Sequence, residues 1–315
     1  MKGLVVDSDK KFVLKENLIP PLPEQGEVLV KVNSSSINPY DAESAAGRFD
    51  AYFAEYGVDK EVQSGLEFSG IVESDGRRFN RGDVVFGYVN MITGWKSHAE
   101  YIAINEDYMA LIPNNITFSQ AAAIPLGALT TLVALEDLGQ LKPDMKLLIN
   151  GAAGGLGIQG IQIAKLLGAH VTAIAGSDQA EYLRSYGADE VYDYNQMSIN
   201  PADPSFEDSF IESFDVILDL TNMQKLNDMK KLLTAKGIFI PAEPTPENGS
   251  ETEDAQVGYL MVMHGDYDKL SRIANWLAEG KLKAVVDKEF HFSDYLKALS
   301  RLQQKGRRGR IVMSW

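Results

Sequence analysis

The chain has 315 residues, of which 45% are hydrophobic and 23% are charged, a composition typical of globular proteins. This length predicts two domains, at roughly 100–200 residues per domain. The absence of cysteine excludes disulfides, thiolate catalysis and zinc sites built on cysteine, and the formal net charge of −14 disfavours binding to nucleic acid or to an anionic membrane surface.

The N-terminus carries no recognisable targeting signal. The first ten residues, MKGLVVDSDK, contain only a short apolar run that Asp7 interrupts, whereas a secretory peptide needs a longer one. We find no window of about 18 uninterrupted apolar residues, so a membrane-spanning helix is not expected. We therefore expect a cytoplasmic protein with no membrane partner and no nucleic-acid partner.

Short strands separated by turn residues dominate the first third of the sequence. Alternation of apolar and polar residues with a period of two is clearest in residues 27–32 (EVLVKV). Further strands are predicted over residues 2–6, 68–73, 83–88 and 99–104. Clusters of Gly, Pro, Asn and Asp separate these strands. The pattern predicts a β-rich, barrel-like domain.

Helices and strands alternate after residue 120. Helices are predicted over residues 120–138, 157–167 and 178–186, and strands over residues 146–150, 170–175, 190–192, 214–220 and 237–240. Such alternation predicts an α/β domain with a doubly wound parallel sheet of the Rossmann type. Two amphipathic helices, 267–277 and 293–304, follow, the second with Ser293 as N-cap, and the last predicted strand is 310–313.

One segment carries the pattern of a dinucleotide phosphate site. This glycine segment, residues 150–157 (NGAAGGLG), follows a predicted strand and opens a predicted helix. Its glycines leave no Cβ where a pyrophosphate must approach the backbone, and the free N–H groups of the helix start face the phosphates. The predicted cofactor contacts are Gly151, Ala152, Ala153, Gly154, Gly155, Leu156 and Gly157. A tight turn without a ligand is the alternative.

The residues after the second strand of this domain favour NADPH over NADH. An NAD site usually has an acidic residue about 20 positions beyond the glycine motif, where this chain has Gly176 followed by Ser177. Ser177, Arg184 and Tyr194 are candidates to contact the 2′-phosphate. In the alternative interpretation, Ser177 or Asp178 caps the next helix and Arg184 is a solvated charge. The nearby Asp178 weakens the case for NADPH.

Short segments distributed along nearly the whole chain carry a family pattern: GEVLVKV (26–32), SSINPYD (35–41), GLEFSGIV (65–72), RGDVVFG (81–87), AAAIPLGALTTLVAL (121–135), GAAGGLG (151–157), GADEVYDY (187–194) and GRIVMSW (309–315). Together these segments resemble the medium-chain dehydrogenase/reductase superfamily, in its zinc-independent quinone oxidoreductase branch that includes zeta-crystallin. The resemblance implies a GroES-like catalytic domain, 1–120 plus 258–315, with a Rossmann NAD(P)-binding domain, 121–257, inserted. It also implies an active site in the cleft between the domains, and a homodimer.

The resemblance argues against a catalytic zinc ion. Zinc alcohol dehydrogenases have a cysteine ligand where this chain has Asn38 and a histidine ligand where it has Leu66, and neither side chain replaces a thiolate or an imidazole. The histidines, at positions 98, 170, 264 and 291, lack metal-ligand spacing, and each is expected in a loop or at the surface. Glu67 matches a buried acid of similar proteins and is expected to support the fold.

The resemblance also supplies candidate catalytic residues. In similar proteins the residues at Asn38 and Thr130 lie near the nicotinamide, and Asn38 is a candidate to hydrogen-bond an acceptor carbonyl or the carboxamide. A turn residue is the alternative for Asn38, and a helix-interior threonine the alternative for Thr130. Tyr40 and Tyr52 are candidates for the acceptor pocket or a proton relay, with core packing as the alternative.

Two further stretches of the sequence are candidates for contact with the cofactor. Val262, Met263 and His264 correspond to a segment that approaches the nicotinamide in similar proteins. The basic cluster of Arg307, Arg308 and Arg310 is expected to be a solvated terminus, with a cofactor role as the alternative.

The leading functional hypothesis is a metal-free, NADPH-dependent reductase that transfers a hydride to a quinone. An NADPH-dependent enone or alkenal double-bond reductase on the same scaffold is the close alternative. A non-enzymatic NADPH-binding structural or sensory protein is the alternative from another class. The expected partners are a small-molecule quinone or enone and a second copy of the chain.

Overall fold

The structure is a computed structural model that describes residues 1–56, 62, 64–242, 254–304 and 306–315. The strands are β1 (Gly3–Val6), β2 (Phe12–Lys15), β3 (Glu27–Ile37), β4 (Glu67–Val72), β5 (Val84–Tyr88), β6 (Tyr101–Asn105), β7 (Met109–Leu111), β8 (Lys146–Asn150), β9 (His170–Ala175), β10 (Glu190–Asp193), β11 (Phe214–Asp219), β12 (Leu233–Pro241), β13 (Val286–His291) and β14 (Arg310–Ser314). The α-helices are α1 (Pro39–Ala45), α2 (Asp50–Glu55), α3 (Phe118–Ala122), α4 (Pro125–Leu132), α5 (Gly155–Leu166), α6 (Ala180–Ser185), α7 (Leu226–Met229), α8 (Tyr267–Ala278) and α9 (Tyr295–Leu302).

The chain divides into two compact units. Unit 1 consists of Met1–Leu129, Met263–Gly280 and Ala284–Trp315, and unit 2 of Thr130–Val262 and Lys281–Lys283. The limits predicted from the sequence, 120/121 and 257/258, lie nine and five residues earlier along the chain than the observed limits, 129/130 and 262/263. No helix in the described part of the chain has the length and apolar character needed to cross a membrane.

Unit 1 is the predicted β-rich, GroES-like domain. Its main sheet has the order β13–β14–β3–β4–β5–β7, with β6 paired to β3, and β1 and β2 form a separate antiparallel pair. β3 alternates between buried and accessible residues over its first half and is then buried continuously from Ser34 to Ile37. The period of two in the sequence predicts the alternating half. The second half of β3 lies in the interior, so its polar residues are buried as well.

Unit 2 has the predicted Rossmann-type topology. Its five strands are parallel and follow the order β10–β9–β8–β11–β12. Lys146–Asn150 and His170–Ala175 have the predicted bounds. The strand order changes direction at β8, and in such sheets the ligand crevice lies beyond the carboxyl ends of the strands at that point. The glycine segment leaves β8 there.

Two local predictions are wrong. The helix predicted over 120–138 is divided into α3, α4 and a π-helical stretch, Val133–Leu138, because Pro125 cannot continue a helix from the preceding turn. The N-cap of α9 is Asp294, and Ser293 lies in the preceding 3-10 turn, Phe292–Asp294.

Candidate active site

The glycine segment of unit 2 forms a tight turn into α5. Gly151 has a φ of +83°, in the left-handed region that glycine adopts without strain. An ideal Cβ on Gly157 would lie 2.5 Å from the carbonyl oxygen of Ala152, so Gly157 permits close packing of the helix on the turn. At Gly154, the N-cap of α5, the nearest heavy atom to an ideal Cβ is 3.5 Å away, which leaves the backbone open to approach. The three glycines therefore have separate structural roles.

The start of α5 suits an anion. The first N–H groups of a helix have no partner within the helix, and its N-terminus carries the positive end of the helix dipole. Ala152 is buried and its N–H donates to the carbonyl of Ile174 at 3.1 Å, which fixes the turn on the neighbouring strand. Gly154 is exposed, and Ala153, Gly155 and Leu156 are half-buried. These residues fit the pyrophosphate of a dinucleotide.

Of the residues predicted to recognise the 2′-phosphate, Ser177 and Tyr194 follow the carboxyl ends of β9 and β10. The hydroxyl oxygen of Tyr194 is 3.6 Å from an ideal Cβ on Gly176, and an oxygen of Asp178 is 3.2 Å from the same point. Arg184 is exposed in the last turn of α6. Ser177 begins a 3-10 turn, but its side chain lies outside the described part of the structure. The structure therefore brings Gly176 and Tyr194 together, with a carboxylate beside them.

A cavity of about 390 Å³ adjoins Gly176. Its lining includes Tyr192, Gln196 and Met197 together with the carboxylates of Asp193 and Glu207. The space is large enough for part of a nucleotide, but the carboxylates give it negative character. Neither Arg184 nor Tyr194 is among the residues that line this cavity, so charge complementarity with a 2′-phosphate would have to come from outside it.

A buried polar cluster surrounds Asn38 in unit 1. Asn38 precedes α1 and is 2% exposed. Its Oδ1 atom accepts a hydrogen bond from the Nη2 atom of Arg310, and its Nδ2 atom lies 3.4 Å from both Ser36 Oγ and Glu67 Oε1. The amide oxygen therefore faces a cation, and the amide hydrogens make only long contacts within unit 1.

Arg310 and Glu67 form an ion pair inside this cluster, and their side chains are 6% and 0% exposed. Glu67 also accepts hydrogen bonds from Ser36 Oγ and, at 2.8 Å, from the N–H of Leu126. Burial lowers the pKa of Arg310 to about 10, and the negative charge of Asp41 partly offsets this effect.

The expectation of a solvated terminus is therefore wrong for Arg310. β14 pairs with β3 in a register that sets Ile311 opposite Ile37, so Arg310 lies beside Asn38. Arg308, two positions earlier, is exposed. Only the strand pairing distinguishes these arginines.

His98 lies in a loop, as expected, but its side chain is 0% exposed, so the surface alternative is wrong for this residue. Its ring nitrogens lie 3.0 Å from Ser64 Oγ and 3.2 Å from the carbonyl oxygen of Ser36. Asp41, also fully buried, accepts hydrogen bonds of 2.6 Å from the N–H groups of Asn38 and Gly65. Burial raises the pKa of Asp41, and His98 is the first of the groups that oppose the rise.

The candidate tyrosines of unit 1 differ in what the structure describes. Tyr40 is 7% exposed, stacks on Phe49 with ring centroids 4.7 Å apart, and donates its hydroxyl hydrogen to the carbonyl of Met91 at 2.6 Å. Burial raises the pKa of Tyr40 well above its usual value, which makes the hydroxyl a weaker proton donor. Tyr52 lies in α2, and its side chain is outside the described part of the structure.

The remaining candidates belong to different units. Thr130 is half-buried in α4 and Val262 is half-buried near the end of unit 2. Met263 and His264 belong to unit 1. The carbonyl of Met263 accepts from the N–H of Met91 at 2.6 Å, and the exposed ring of His264 stacks on Tyr108 at 4.3 Å. A shared nicotinamide site for these residues stays a prediction.

Lys96 is a buried lysine that the sequence patterns did not single out. It is 1% exposed, and its Nζ atom donates to the carbonyls of Ile92, Thr93 and Gly94 at 3.3, 3.0 and 3.5 Å. Burial lowers the pKa of Lys96 to about 7. In the sequence, the only indication that Lys96 is buried was its position between two segments predicted to be strands.

Lys96→Met is expected to remove a pH dependence of stability between about pH 7 and pH 10. The folded protein releases this proton near pH 7, whereas the unfolded chain keeps it to about pH 10.4. The unfolded state therefore binds more protons in this window, so the lysine makes the free energy of unfolding rise with pH. Urea unfolding of both proteins across the window measures the difference. Exposed Lys31→Met is the control, and parallel profiles for wild type and Lys96→Met would contradict the prediction.

The described residues do not fit a zinc centre of the cysteine–histidine type. Asn38 and Leu66 stand at the two ligand positions, and both are buried. Within the described ranges, no three His, Cys, Asp or Glu side chains are grouped so that they could hold a metal ion. The absence of zinc in the protein stays a prediction.

Two family models match the chain. The model "Alcohol dehydrogenase GroES-like domain" matches residues 24–136, and "Zinc-binding dehydrogenase" matches residues 186–313. Together they cover most of the sequence, and the first agrees with the architecture of unit 1.

Individual proteins are similar along much of the chain. A quinone oxidoreductase of Sus scrofa is 31% identical over 239 residues, which are 74% of this chain and 69% of that protein. A chloroplastic NADPH-dependent alkenal/one oxidoreductase of Arabidopsis thaliana is 29% identical over 324 residues, 95% of this chain and 75% of that protein. The structure of the quinone oxidoreductase from Coxiella burnetii has a TM-score of 0.84 at 24% identity, over 100% of this chain and 99% of that one, and so has the same fold.

Proposed function

Because the chain belongs to the medium-chain dehydrogenase/reductase superfamily, in its quinone oxidoreductase-like branch, we propose that it reduces a quinone with NADPH and without a catalytic metal ion. It is an NAD(P)H oxidoreductase of the group that contains quinone oxidoreductases and alkenal reductases. The glycine segment carries the proposal, because Gly154 leaves the backbone open at the start of α5 while Gly157 fixes that helix on the turn.

When bound, NADPH would supply the hydride. The task of the chain is to hold the phosphates and to offer donors to the acceptor oxygen, on which negative charge develops. Asn38 suits the second role. Its Oδ1 atom faces Arg310, which leaves the Nδ2 hydrogens, with only 3.4 Å contacts inside unit 1, as the donors.

NADPH is the proposed cofactor because Gly176 stands at the end of β9, where NAD sites usually carry an acid. Tyr194, whose hydroxyl oxygen is 3.6 Å from an ideal Cβ on Gly176, offers a donor. One oxygen of the nearby Asp178 carboxylate accepts a hydrogen bond from the side chain of Gln179 at 2.7 Å, so part of its negative charge is stabilised within the protein. The similar Arabidopsis protein is named NADPH-dependent.

Titration of the pure protein with NADPH and, separately, with NADH tests this proposal. We expect micromolar binding of NADPH and much weaker binding of NADH, measured by calorimetry or by quenching of intrinsic fluorescence. Equal affinities for NADPH and NADH would contradict the proposed contact with the 2′-phosphate but would still be consistent with a reductase. No binding of either cofactor would contradict the reductase and favour the non-enzymatic alternative.

The second candidate activity is reduction of a conjugated carbon–carbon double bond. The Arabidopsis alkenal/one oxidoreductase supports it, being 29% identical over 95% of this chain. A panel of quinones and α,β-unsaturated carbonyls with NADPH separates the two activities. Turnover of the unsaturated carbonyls alone would contradict the proposal that the acceptor is a quinone. Stoichiometric zinc in the active protein would contradict the proposal that the reaction needs no metal ion.

A homodimer through the edge of the parallel sheet is part of the proposal. β12 is one of the two edge strands of this sheet, and Val257 forms a parallel bridge with Phe239. The next residues include Tyr259 and Met261, which are 45% and 62% exposed. Light scattering should give twice the chain mass of 34.7 kDa, and a monomeric mass would contradict the dimer.

A further inference from the structure

A fully buried carboxylate lies beside the glycine segment and has no assigned role. Asp219 is the last residue of β11 and is 0% exposed. In the register of β8 and β11 it is the partner of Asn150, the residue immediately before Gly151. The two side chains therefore share the carboxyl edge of the sheet, where the strand order changes direction.

The hydrogen bonds of Asp219 organise the loop that follows it. Its Oδ1 atom accepts from Asn150 Nδ2 at 2.9 Å, from the N–H of Thr221 at 3.0 Å and from Thr221 Oγ1 at 2.6 Å, and its Oδ2 atom accepts from the N–H of Gln224 at 3.3 Å. Asn150 Nδ2 is also 3.1 Å from Thr221 Oγ1. Because a buried carboxylate without such donors is costly, the loop and the carboxylate stabilise each other.

The same loop packs on the glycine segment. The N–H of Leu220 donates to the carbonyl of Asn150 at 2.9 Å. An ideal Cβ on Gly151 would lie 3.2 Å from Thr221 Cγ2 and 3.3 Å from Leu220 Cβ, so the loop is in close contact with the first glycine. Movement of loop 220–224 therefore moves the turn that leads into α5.

We propose that Asp219 is a positioning residue for the cofactor, which holds loop 220–224 against Gly151 and thereby sets the affinity for NADPH. This inference rests on the proposed function. A carboxylate close to a phosphate site would repel the ligand if it were in contact with it. Asp219 instead acts through Asn150 and Thr221, whose donors occupy its Oδ1 atom.

The test compares Asp219→Asn with Asp215→Asn. Asp215 lies at the other end of β11, where it accepts from the N–H of Lys146 at 2.9 Å and from Thr234 Oγ1 at 3.2 Å. The two variants therefore make the same substitution on the same strand. We expect Asp219→Asn to raise the Kd for NADPH about 10- to 100-fold, because a small misplacement of a binding element has effects of this size. Asp215→Asn should leave the Kd unchanged.

A second pair separates positioning from folding. Thr221→Val removes the hydroxyl that donates to Asp219, whereas Thr221→Ser keeps it. If Asp219→Asn does not fold, a raised Kd in Thr221→Val with wild-type affinity in Thr221→Ser supports the inference. Equal affinity in both Thr221 variants would overturn it. In enzyme assays, the positioning role predicts a raised KM for NADPH with kcat largely kept at saturation.

The wild-type protein is measured first, by direct titration with NADPH. If it does not bind, the proposed function fails and this inference fails with it. If it binds and a folded Asp219→Asn variant binds equally well, only the inference is overturned. Thermal unfolding with and without NADPH provides the second readout, since the shift in Tm on binding should shrink in Asp219→Asn and persist in Asp215→Asn.

Discussion

Replacing Arg310 by methionine is expected to lower the free energy of unfolding by about 3–5 kcal/mol. The guanidinium is buried and paired with Glu67, which is 0% exposed. Removal of one partner leaves the carboxylate of Glu67 buried with the uncharged donors of Ser36, Leu126 and, at 3.4 Å, Asn38, and it also removes the partner of Asn38 Oδ1. Urea unfolding followed by tryptophan fluorescence measures the loss.

The double variant Glu67→Gln with Arg310→Met is the informative comparison. It removes both charges, so it should be less destabilised than Arg310→Met alone, because the main cost is an uncompensated buried charge. Arg48→Met breaks an exposed pair with Glu43, at 2.7 Å, and should cost at most about 1 kcal/mol. A cost for Arg310→Met as small as that of Arg48→Met would contradict the buried pair.

Gly157→Ala is expected to reduce NADPH affinity by at least about 100-fold, since displacement of a binding element by an ångström has effects of this size. The new Cβ would lie within 2.6 Å of three backbone atoms of Ala152, so the turn must move away from the helix. The same clash should lower the Tm. Calorimetric titration and thermal unfolding measure the two effects.

Gly154→Ala is the matched variant in the same segment. Gly154 has a φ of −71°, which alanine adopts, and the nearest atom to the added Cβ is 3.5 Å away. Stability should therefore remain within about 1 kcal/mol of wild type. The methyl group nevertheless fills the approach to the helix start, so NADPH affinity should fall while the Tm falls by a few degrees at most. Wild-type affinity in Gly154→Ala would place the phosphates elsewhere.

The sequence by itself determined the features that depend on local patterns. The strands β8 and β9 have the predicted bounds because their runs of buried residues are bounded by turn residues on both sides. The glycine segment was recognised because its three glycines, a strand and a helix follow one another within a few residues. The superfamily was likewise readable from short segments, which the comparisons confirm.

Only the tertiary structure decided which polar residues are buried together. Arg310 is 272 positions from Asn38 and 243 from Glu67, so no local pattern connects them. Sequence reasoning expected Arg310 to be solvated because basic residues near a chain end are usually exposed, but the pairing of β14 with β3 carries it inside. Asp219 and Asn150 are likewise 69 positions apart and meet only because β8 and β11 are neighbours. Burial of a charge is set by which strands pair and in which register, and those are properties of the folded chain as a whole.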